Sequence, residues 1–225
     1  MPYPDLLEKL RATVGAKNVF TGKKKTAYYR SGFRSGIGGA LAVVFPETLL
    51  QQWHILQHCV NGGCAIIMQG AKTGLTEGSC PSGDDYVRPV IIINTRRLTK
   101  LILLDGGKQV LALPGASLHQ LENLLRPLGR MPHSVIGSTS IGATIVGGIA
   151  NNAGGALCKR GSSYTELSLF AQVDATGKLQ LVDHLGIRNL GKTPEQILER
   201  LENGQIDSDD LEAHHTPASD REYAK

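Results

Sequence analysis

Aromatic residues are scarce in this chain of 225 residues, which contains one tryptophan, four phenylalanines and six tyrosines. Proteins that bind single-stranded nucleic acids stack bases on aromatic side chains, so this scarcity argues against a nucleic-acid partner. None of the four cysteines, Cys59, Cys64, Cys80 and Cys158, belongs to a CxxC pair. The cysteines are therefore predicted to be reduced thiols, and we expect no metal site.

Long apolar segments are also absent from the sequence. It contains no run of 18 apolar residues, and no apolar signal-peptide core follows Met1. A membrane-spanning helix needs about 20 consecutive apolar residues. We therefore expect no spanning helix, and any association with a membrane is expected to be peripheral.

The charged residues are unevenly distributed around a net charge of +4. Residues 1–194 contain 21 basic and 11 acidic side chains, whereas residues 195–225 contain three basic and nine acidic ones. The basic part suits a phosphate-bearing ligand or an anionic membrane surface. Residues 206–225 are polar and acidic, which predicts a disordered tail or a segment separated from its partner.

Strand and helix patterns alternate in the first half of the chain. Apolar runs at 40–45, 65–68 and 90–93 predict buried strands, and residues 47–60 have the apolar period of a helix. Continuous apolar strands that alternate with a helix are typical of a parallel sheet covered on both faces.

The second half has a different pattern, which predicts hairpins at 101–113 and 166–185 and helices at 117–128 and 194–201. The predicted fold class is therefore α+β. A small α/β N-terminal half with parallel strands is followed by a larger, mainly antiparallel sheet with helices.

Residues 69–79 form a glycine-rich segment that directly follows a predicted strand and reads QGAKTGLTEGS. Its small residues leave backbone N–H groups free to converge on an anion, and a diphosphate is the most common such ligand. A Walker motif does not fit, because Ala71 stands where a glycine must precede Lys72. A GxGxxG motif beginning at Gly36 also fails, because Leu41 occupies the third glycine position.

A second glycine-rich segment, residues 133–155, reads HSVIGSTSIGATIVGGIANNAGG. Its residues 142–150 predict a tight helix whose backbone packs closely against either a flat ligand or merely a sheet. One small-residue loop in each half of the chain suggests a long dinucleotide lying between two subdomains.

These two segments resemble the flavin-binding segments of the vanillyl-alcohol oxidase and p-cresol methylhydroxylase type of FAD domain. Further stretches are similar to the N-terminal part of the bacterial quinone-dependent D-lactate dehydrogenases. These stretches are FRSG (33–36), ALAVVFPETLL (40–50), PLGRMPHSVIG (127–137), RGSSYTELSLFAQV (160–173), HLGI (184–187) and TPEQIL (193–198). The resemblance covers most of residues 5–205.

The resemblance implies a two-subdomain FAD-binding fold. Residues 1–35 would be an N-terminal helix and basic loop, and residues 36–205 the FAD-binding domain. Its first subdomain would extend to about residue 97, and its second, incomplete subdomain would begin at about residue 98. The acidic tail would occupy residues 206–225.

The resemblance also implies which residues bind FAD. The diphosphate would be wrapped by Gly70, Ala71, Lys72, Thr73 and Gly74, with Gly78 and Ser79 closing the loop and Gly137, Thr144 and Gly154 lining the second segment. Some relatives tether the flavin through a histidine in the segment that corresponds to residues 69–79. No histidine lies between Gly62 and Leu118, so we expect non-covalent FAD. The Lys72 ammonium would either contact phosphate or be solvated.

The activity implied is FAD-dependent oxidation of D-lactate to pyruvate, with electrons passed to a membrane quinone and this chain supplying the FAD-binding portion. The enzyme would be peripheral, on the cytoplasmic side of the bacterial inner membrane, and the isolated chain cytoplasmic. Members of this family are longer, so we expect the catalytic base outside these 225 residues and no D-lactate oxidation by the chain alone. The alternatives are a non-catalytic FAD-binding fragment or an FAD oxidoreductase for another 2-hydroxy acid.

Overall fold

The computed structural model of the protein describes residues 3–84, 86–132, 136–154, 163 and 165–212. The chain divides into two compact units. The first comprises Met1–Leu98 with Gly177–Leu179, and the second comprises Thr99–Thr176 with Gln180–Lys225.

The first unit is built on a four-stranded sheet. Its elements are α1 (Pro4–Val14), β1 (Val19–Thr21), α2 (Lys23–Thr26), β2 (Ala42–Val44), α3 (Leu49–Asn61), β3 (Ala65–Gln69) and β4 (Val90–Asn94). The strand order is β1-β2-β4-β3. Strands β2 and β3 both run parallel to β4, as predicted, and β1 pairs with β2 in the antiparallel sense.

Strand β4 is the centre of this unit because it is buried on both faces. Ile91 and Ile93 pack against α1 and α3 in one apolar cluster, whereas Ile92 packs with Val43 and Phe45 in another. All three isoleucines are fully buried. A strand covered on both faces reads as a continuous apolar run, which explains why the sequence VIII predicted it correctly.

Helix α3 has well-defined ends. The Thr48 hydroxyl accepts a hydrogen bond from the Gln51 backbone at 3.0 Å and caps the first turn. At the other end, Gly63 adopts a φ of +64°, and the Cys64 N–H donates to the Cys59 carbonyl at 2.9 Å. This is a Schellman motif, in which the residues corresponding to Cys59 and Cys64 contact one another. The two thiols are buried together, and their hydrogen bond is the main cause of the raised pKa of Cys59.

The second unit combines short sheets with helices. Its elements are β5 (Leu101–Leu104), β6 (Gln109–Ala112), α4 (Leu118–Leu125), α5 (Ile145–Ala150), β7 (Ser168–Val173), β8 (Leu179–His184) and α6 (Pro194–Asn203). Strands β5 and β6 pair in the antiparallel sense, and β7 pairs with β8. The α+β class is confirmed. The described residues place these strands in two two-stranded sheets, where the sequence predicted one larger sheet.

Residues 206–212 differ from the disordered tail predicted for 206–225. The Glu212 N–H donates to the Gly186 carbonyl, and the Arg188 N–H donates to the Asp210 carbonyl, both at 2.8 Å. The Asp210 carboxylate also lies 3.6 Å from the Arg200 guanidinium. The acidic segment is ordered because basic side chains and backbone groups of the same unit pair with it. Residues 213–225 lie outside the described part of the chain.

The described residues include neither a membrane-spanning helix nor a metal-binding cluster. No helix there is long and apolar enough to cross a bilayer. No cluster of three or more histidine, cysteine, aspartate or glutamate side chains there is arranged to hold a metal ion.

Candidate functional site

The segment 70–79, here called the first loop, begins where strand β3 ends. Because β2, β3 and β4 are parallel, their carboxyl ends lie at one edge of the sheet. Ligands of open α/β sheets bind at this edge. The first loop is therefore at the position where a parallel sheet offers a binding site.

A buried pair of amides supports the first loop. Gln69 and Asn94 are the last residues of β3 and β4 and are partners in the sheet register. The Asn94 side-chain amide donates to Gln69 Oε1 at 2.9 Å. The Gln69 amide donates to the carbonyls of Tyr29 at 2.9 Å and Ser79 at 2.6 Å. Gln69 thus joins the start of the loop to its end, with its two N–H donors and its oxygen all paired.

The side chain of Lys72 is hydrogen-bonded to an earlier segment of the chain. Its side chain is buried, and Nζ donates to the Tyr28 carbonyl, to the Ser31 carbonyl at 2.8 Å and to Ser31 Oγ at 3.3 Å. Nζ also lies 3.8 Å from the centroid of the Tyr28 ring. Burial lowers the pKa of this ammonium. The alternative that Lys72 is solvated is therefore wrong, because its donors and its charge are covered by residues 28–31.

The turn from Ser31 to Ile37 packs beneath the first loop. Ser31 and Ile37 form an antiparallel bridge, and the Gly32 N–H donates to the Gly36 carbonyl at 2.8 Å. A Cβ at Gly36 would lie 2.8 Å from the Glu77 carboxyl group and 2.9 Å from Cys80 Sγ. Gly36 also has a φ of +82°, so its conformation and its contacts both favour glycine, and the turn packs against the loop.

Gly74 and Gly78 stand out among the glycines of the first loop. Both are exposed, and neither has the positive φ that favours glycine. A Cβ added at either position would meet no atom of the chain within 4 Å. Neither backbone conformation nor internal packing thus requires glycine at these two positions. The remaining predicted residues of the loop, Gly70, Ala71, Thr73 and Ser79, are half-buried.

The second glycine-rich segment, residues 133–155, also contains two glycines with open space around them. Gly137 and Gly154 are exposed, lack a positive φ and have no atom within 4 Å of an added Cβ. Thr144 is buried, and its hydroxyl accepts a hydrogen bond from the Gly147 N–H at 3.1 Å, which caps α5. Thr144 therefore has a structural role that the sequence did not indicate. Residues 133–135 and 155 of this segment lie outside the described residues.

A cavity of about 380 Å³ in the second unit contains none of the predicted site residues. Its lining includes Glu166, Asp183, His184 and Glu212. This acidic lining is unsuited to an anionic diphosphate.

Residues 40–183, which are more than half of the chain, match the family model described as FAD binding domain. The chain belongs to this family. FAD is therefore its cofactor, as predicted. The open faces of Gly74 and Gly78 fit this cofactor, because a diphosphate that approaches the backbone closely needs positions without side chains.

Two relatives place the FAD domain within longer proteins. The quinone-dependent D-lactate dehydrogenase of Escherichia coli (strain K12) is 55% identical over 217 residues, which are 96% of this chain and 38% of the relative. The quinone-dependent D-lactate dehydrogenase of Haemophilus influenzae is 49% identical over 211 residues, with coverage of 94% and 37%. The resemblance inferred from the sequence is confirmed, and the chain spans less than two fifths of these relatives.

The fold of the FAD domain is shared with p-cresol methylhydroxylase. Its crystal structure with substrate bound superimposes with a TM-score of 0.61 at 17% sequence identity. The match covers 87% of this chain and 38% of that chain. At this identity the likeness shows the fold alone.

Four supporting residues were missed by the sequence analysis: Gln69, Asn94, Tyr28 and Ser31. Two of them carry a signal that could have been used. AIIMQ and VIIIN are apolar strands that each end in a single buried amide residue, and a buried amide must find partners. Tyr28 and Ser31 carry no such signal, because their main contribution is through backbone carbonyls, which every residue has.

Proposed function

We propose that this chain is the FAD-binding portion of an enzyme that oxidises D-lactate to pyruvate and passes the electrons to a membrane quinone. The observation that carries the FAD-binding part of the proposal is the open space at Gly74 and Gly78, on a loop held by Gln69 and Lys72. FAD, when bound, supplies the redox chemistry, and the protein binds and orients it.

The first loop would hold the diphosphate. Backbone N–H groups of Gly70, Ala71, Lys72, Thr73 and Gly74 are proposed to wrap it, and Gly78 and Ser79 to close the loop. The support for this assignment is the position of the loop at the carboxyl edge of the sheet and the space above its glycines. The Lys72 side chain is proposed to help by holding the loop in place and not by contacting phosphate, because its N–H donors already bond to residues 28–31.

The second segment would contribute Gly137, Thr144 and Gly154 to the same cofactor. The support is the open space at the two glycines. We propose residues 36–205 as the FAD-binding domain, with the first subdomain ending at about residue 97 and the second beginning at about residue 98. Binding is proposed to be non-covalent, since no histidine lies between Gly62 and Leu118.

The substrate and the electron acceptor are proposed from the relatives, which are named quinone-dependent D-lactate dehydrogenases. A membrane quinone as acceptor would require the complete enzyme to reach a membrane, and we propose a peripheral location on the cytoplasmic side. The basic residues of segment 1–194 would favour an anionic lipid surface. No catalytic base is assigned to this chain.

A chimeric enzyme tests the proposal. This chain would replace the matching 217-residue region of the Escherichia coli relative, and the unmodified relative would be the positive control. We expect the chimera to retain FAD and to reduce a soluble quinone with D-lactate, with L-lactate as the negative control.

Two outcomes would contradict different parts of the proposal. A chimera that holds FAD but is inert towards D-lactate, beside an active parent, would overturn the D-lactate assignment. Failure of the purified 225-residue chain to retain FAD would overturn the cofactor assignment.

A further inference from the structure

We propose that Lys72 is a positioning residue for FAD, whose ammonium fixes the first loop to residues Tyr28–Ser31 and so sets the loop conformation that receives the diphosphate. This inference rests on the proposed function of the loop. It assigns to the side chain a role other than direct contact with phosphate.

The hydrogen bonds of Lys72 support this role. An ammonium group has three N–H donors and no acceptor. In this protein Nζ has three oxygen acceptors, the carbonyls of Tyr28 and Ser31 and the Ser31 hydroxyl. All three belong to a segment more than 40 residues earlier in the chain. All three N–H donors of the ammonium therefore bond to residues distant in the sequence, and no donor is left for a ligand.

The backbone conformation of Lys72 explains why its side chain must be held by hydrogen bonds. Its φ is +49°, a left-handed conformation that is uncommon for a residue with a long side chain. Such strained conformations persist only where the surrounding structure enforces them. The contacts of Nζ, together with the bond from Gln69 to the Ser79 carbonyl, hold the loop on both sides of this strained residue.

The charge of Lys72 also points to an anionic ligand. None of the ion pairs among the described residues includes Lys72. The neighbouring Cys80 is no counter-ion, because burial raises the pKa of its thiol. A buried cation without a carboxylate partner is costly, and a diphosphate on the same loop would offset part of that cost.

The test compares Lys72→Asn with Lys25→Asn. Asparagine tolerates a positive φ, so Lys72→Asn removes the hydrogen bonds of Nζ and the charge while keeping the backbone conformation accessible. Lys25 is exposed on α2, and Lys25→Asn removes the same charge from the neighbouring segment. Ser31→Ala is a third variant, which changes no charge and removes the hydroxyl that accepts from Lys72 Nζ and donates to the Tyr28 carbonyl.

Two readouts are used, one of them without the cofactor. In the FAD-free protein, backbone ¹⁵N order parameters of Gly74 and Gly78 should fall from about 0.85 to below about 0.6 in Lys72→Asn. The Kd for FAD, measured by flavin fluorescence, should rise about tenfold in Lys72→Asn, less in Ser31→Ala, and stay unchanged in Lys25→Asn.

The outcomes separate this inference from the proposed function. Unchanged order parameters in Lys72→Asn, or an equal effect of Lys25→Asn, would overturn the positioning role. Wild-type affinity of Lys72→Asn for FAD would overturn it as well. Failure of the wild-type protein to bind FAD would instead overturn the proposed function of the loop.

Discussion

The side-chain amide of Asn94 donates a hydrogen bond of 2.9 Å to the side-chain oxygen of Gln69. These residues end two adjacent parallel strands, and both are buried. The bond leaves the two N–H donors of Gln69 for the carbonyls of Tyr29 and Ser79. One buried amide therefore connects the sheet, the first loop and the segment beneath it.

Replacing Gln69 by leucine should destabilise the first unit. The substitution leaves the Tyr29 and Ser79 carbonyls without this partner, and it leaves the Asn94 amide with only its longer hydrogen bond to the Gly70 carbonyl, at 3.3 Å. A buried polar group left unpaired costs about 1–3 kcal/mol, so we expect a loss of at least that size in the free energy of unfolding. Urea unfolding followed by circular dichroism would measure it.

Gln52→Leu is the matched control for Gln69→Leu. The Gln52 Oε1 atom is buried and has no hydrogen-bond partner among the described residues. Removing an unpaired buried acceptor is neutral or stabilising. If Gln69→Leu proved no more destabilising than Gln52→Leu, the amide would not support the loop.

Gly74→Val should weaken FAD binding without affecting the fold. The added side chain would occupy the open space over the first loop, where the diphosphate is proposed to lie. We expect the Kd for FAD to rise at least tenfold, equivalent to about 1.4 kcal/mol. Fluorescence titration would measure the Kd, and the thermal unfolding midpoint should be unchanged.

Gly39→Val serves as the control for that substitution. Gly39 is also exposed, lacks a positive φ, and would place its Cβ no closer than 3.9 Å to another atom. Wild-type affinity is expected for this variant. Equal affinities of the Gly74 and Gly39 variants would remove the first loop from the cofactor site.

His58 should titrate below its usual pKa. Burial is the main cause of the lowered pKa, and the positive charges of Lys9 and His54 add to it. Between this lowered value and 6.5 the unfolded chain binds more protons at His58 than the folded protein does. The contribution of His58 to the free energy of unfolding therefore rises as the pH rises through this window.

NMR titration of the His58 ring would measure this pKa directly. Lys9→Gln should raise it towards 6.5, because one repelling charge is removed. His58→Gln should make the first unit less sensitive to acid, since the glutamine takes up no proton. A wild-type pKa at or above 6.5 would contradict the expectation.

Thr144→Ala should destabilise the second unit. The Thr144 hydroxyl caps α5 by accepting the hydrogen bond of the Gly147 N–H. Loss of such a cap costs about 1 kcal/mol. Thr144→Ser keeps the hydroxyl and should restore most of the unfolding free energy in a urea titration. Equal stability of the alanine and serine variants would show that the cap contributes nothing.

The sequence by itself determined the parts of this protein whose patterns are local. Continuous apolar runs predicted β2, β3 and β4 near their observed positions. The prediction that all three are buried was wrong for β3, an edge strand in which Met68 is exposed. The amphipathic period likewise predicted α3, α4 and α6. The glycine-rich composition of residues 69–79 was sufficient to predict an anion-binding loop and, by resemblance, FAD. Strand β1 was not predicted, because only Val19 and Phe20 of its three residues are apolar and they form no longer apolar run.

Only the tertiary structure decided how the first loop is held. The order β1-β2-β4-β3 places β4 beside β3 and so brings Asn94 to Gln69, 25 positions apart in the chain. The acceptors of Lys72 are mainly backbone carbonyls more than 40 residues away. Every residue has a carbonyl group, so no sequence pattern distinguishes the ones that bind an ammonium. Lys72 was therefore ambiguous in the sequence, and the packing of residues 28–37 against the loop gave it buried partners within the chain.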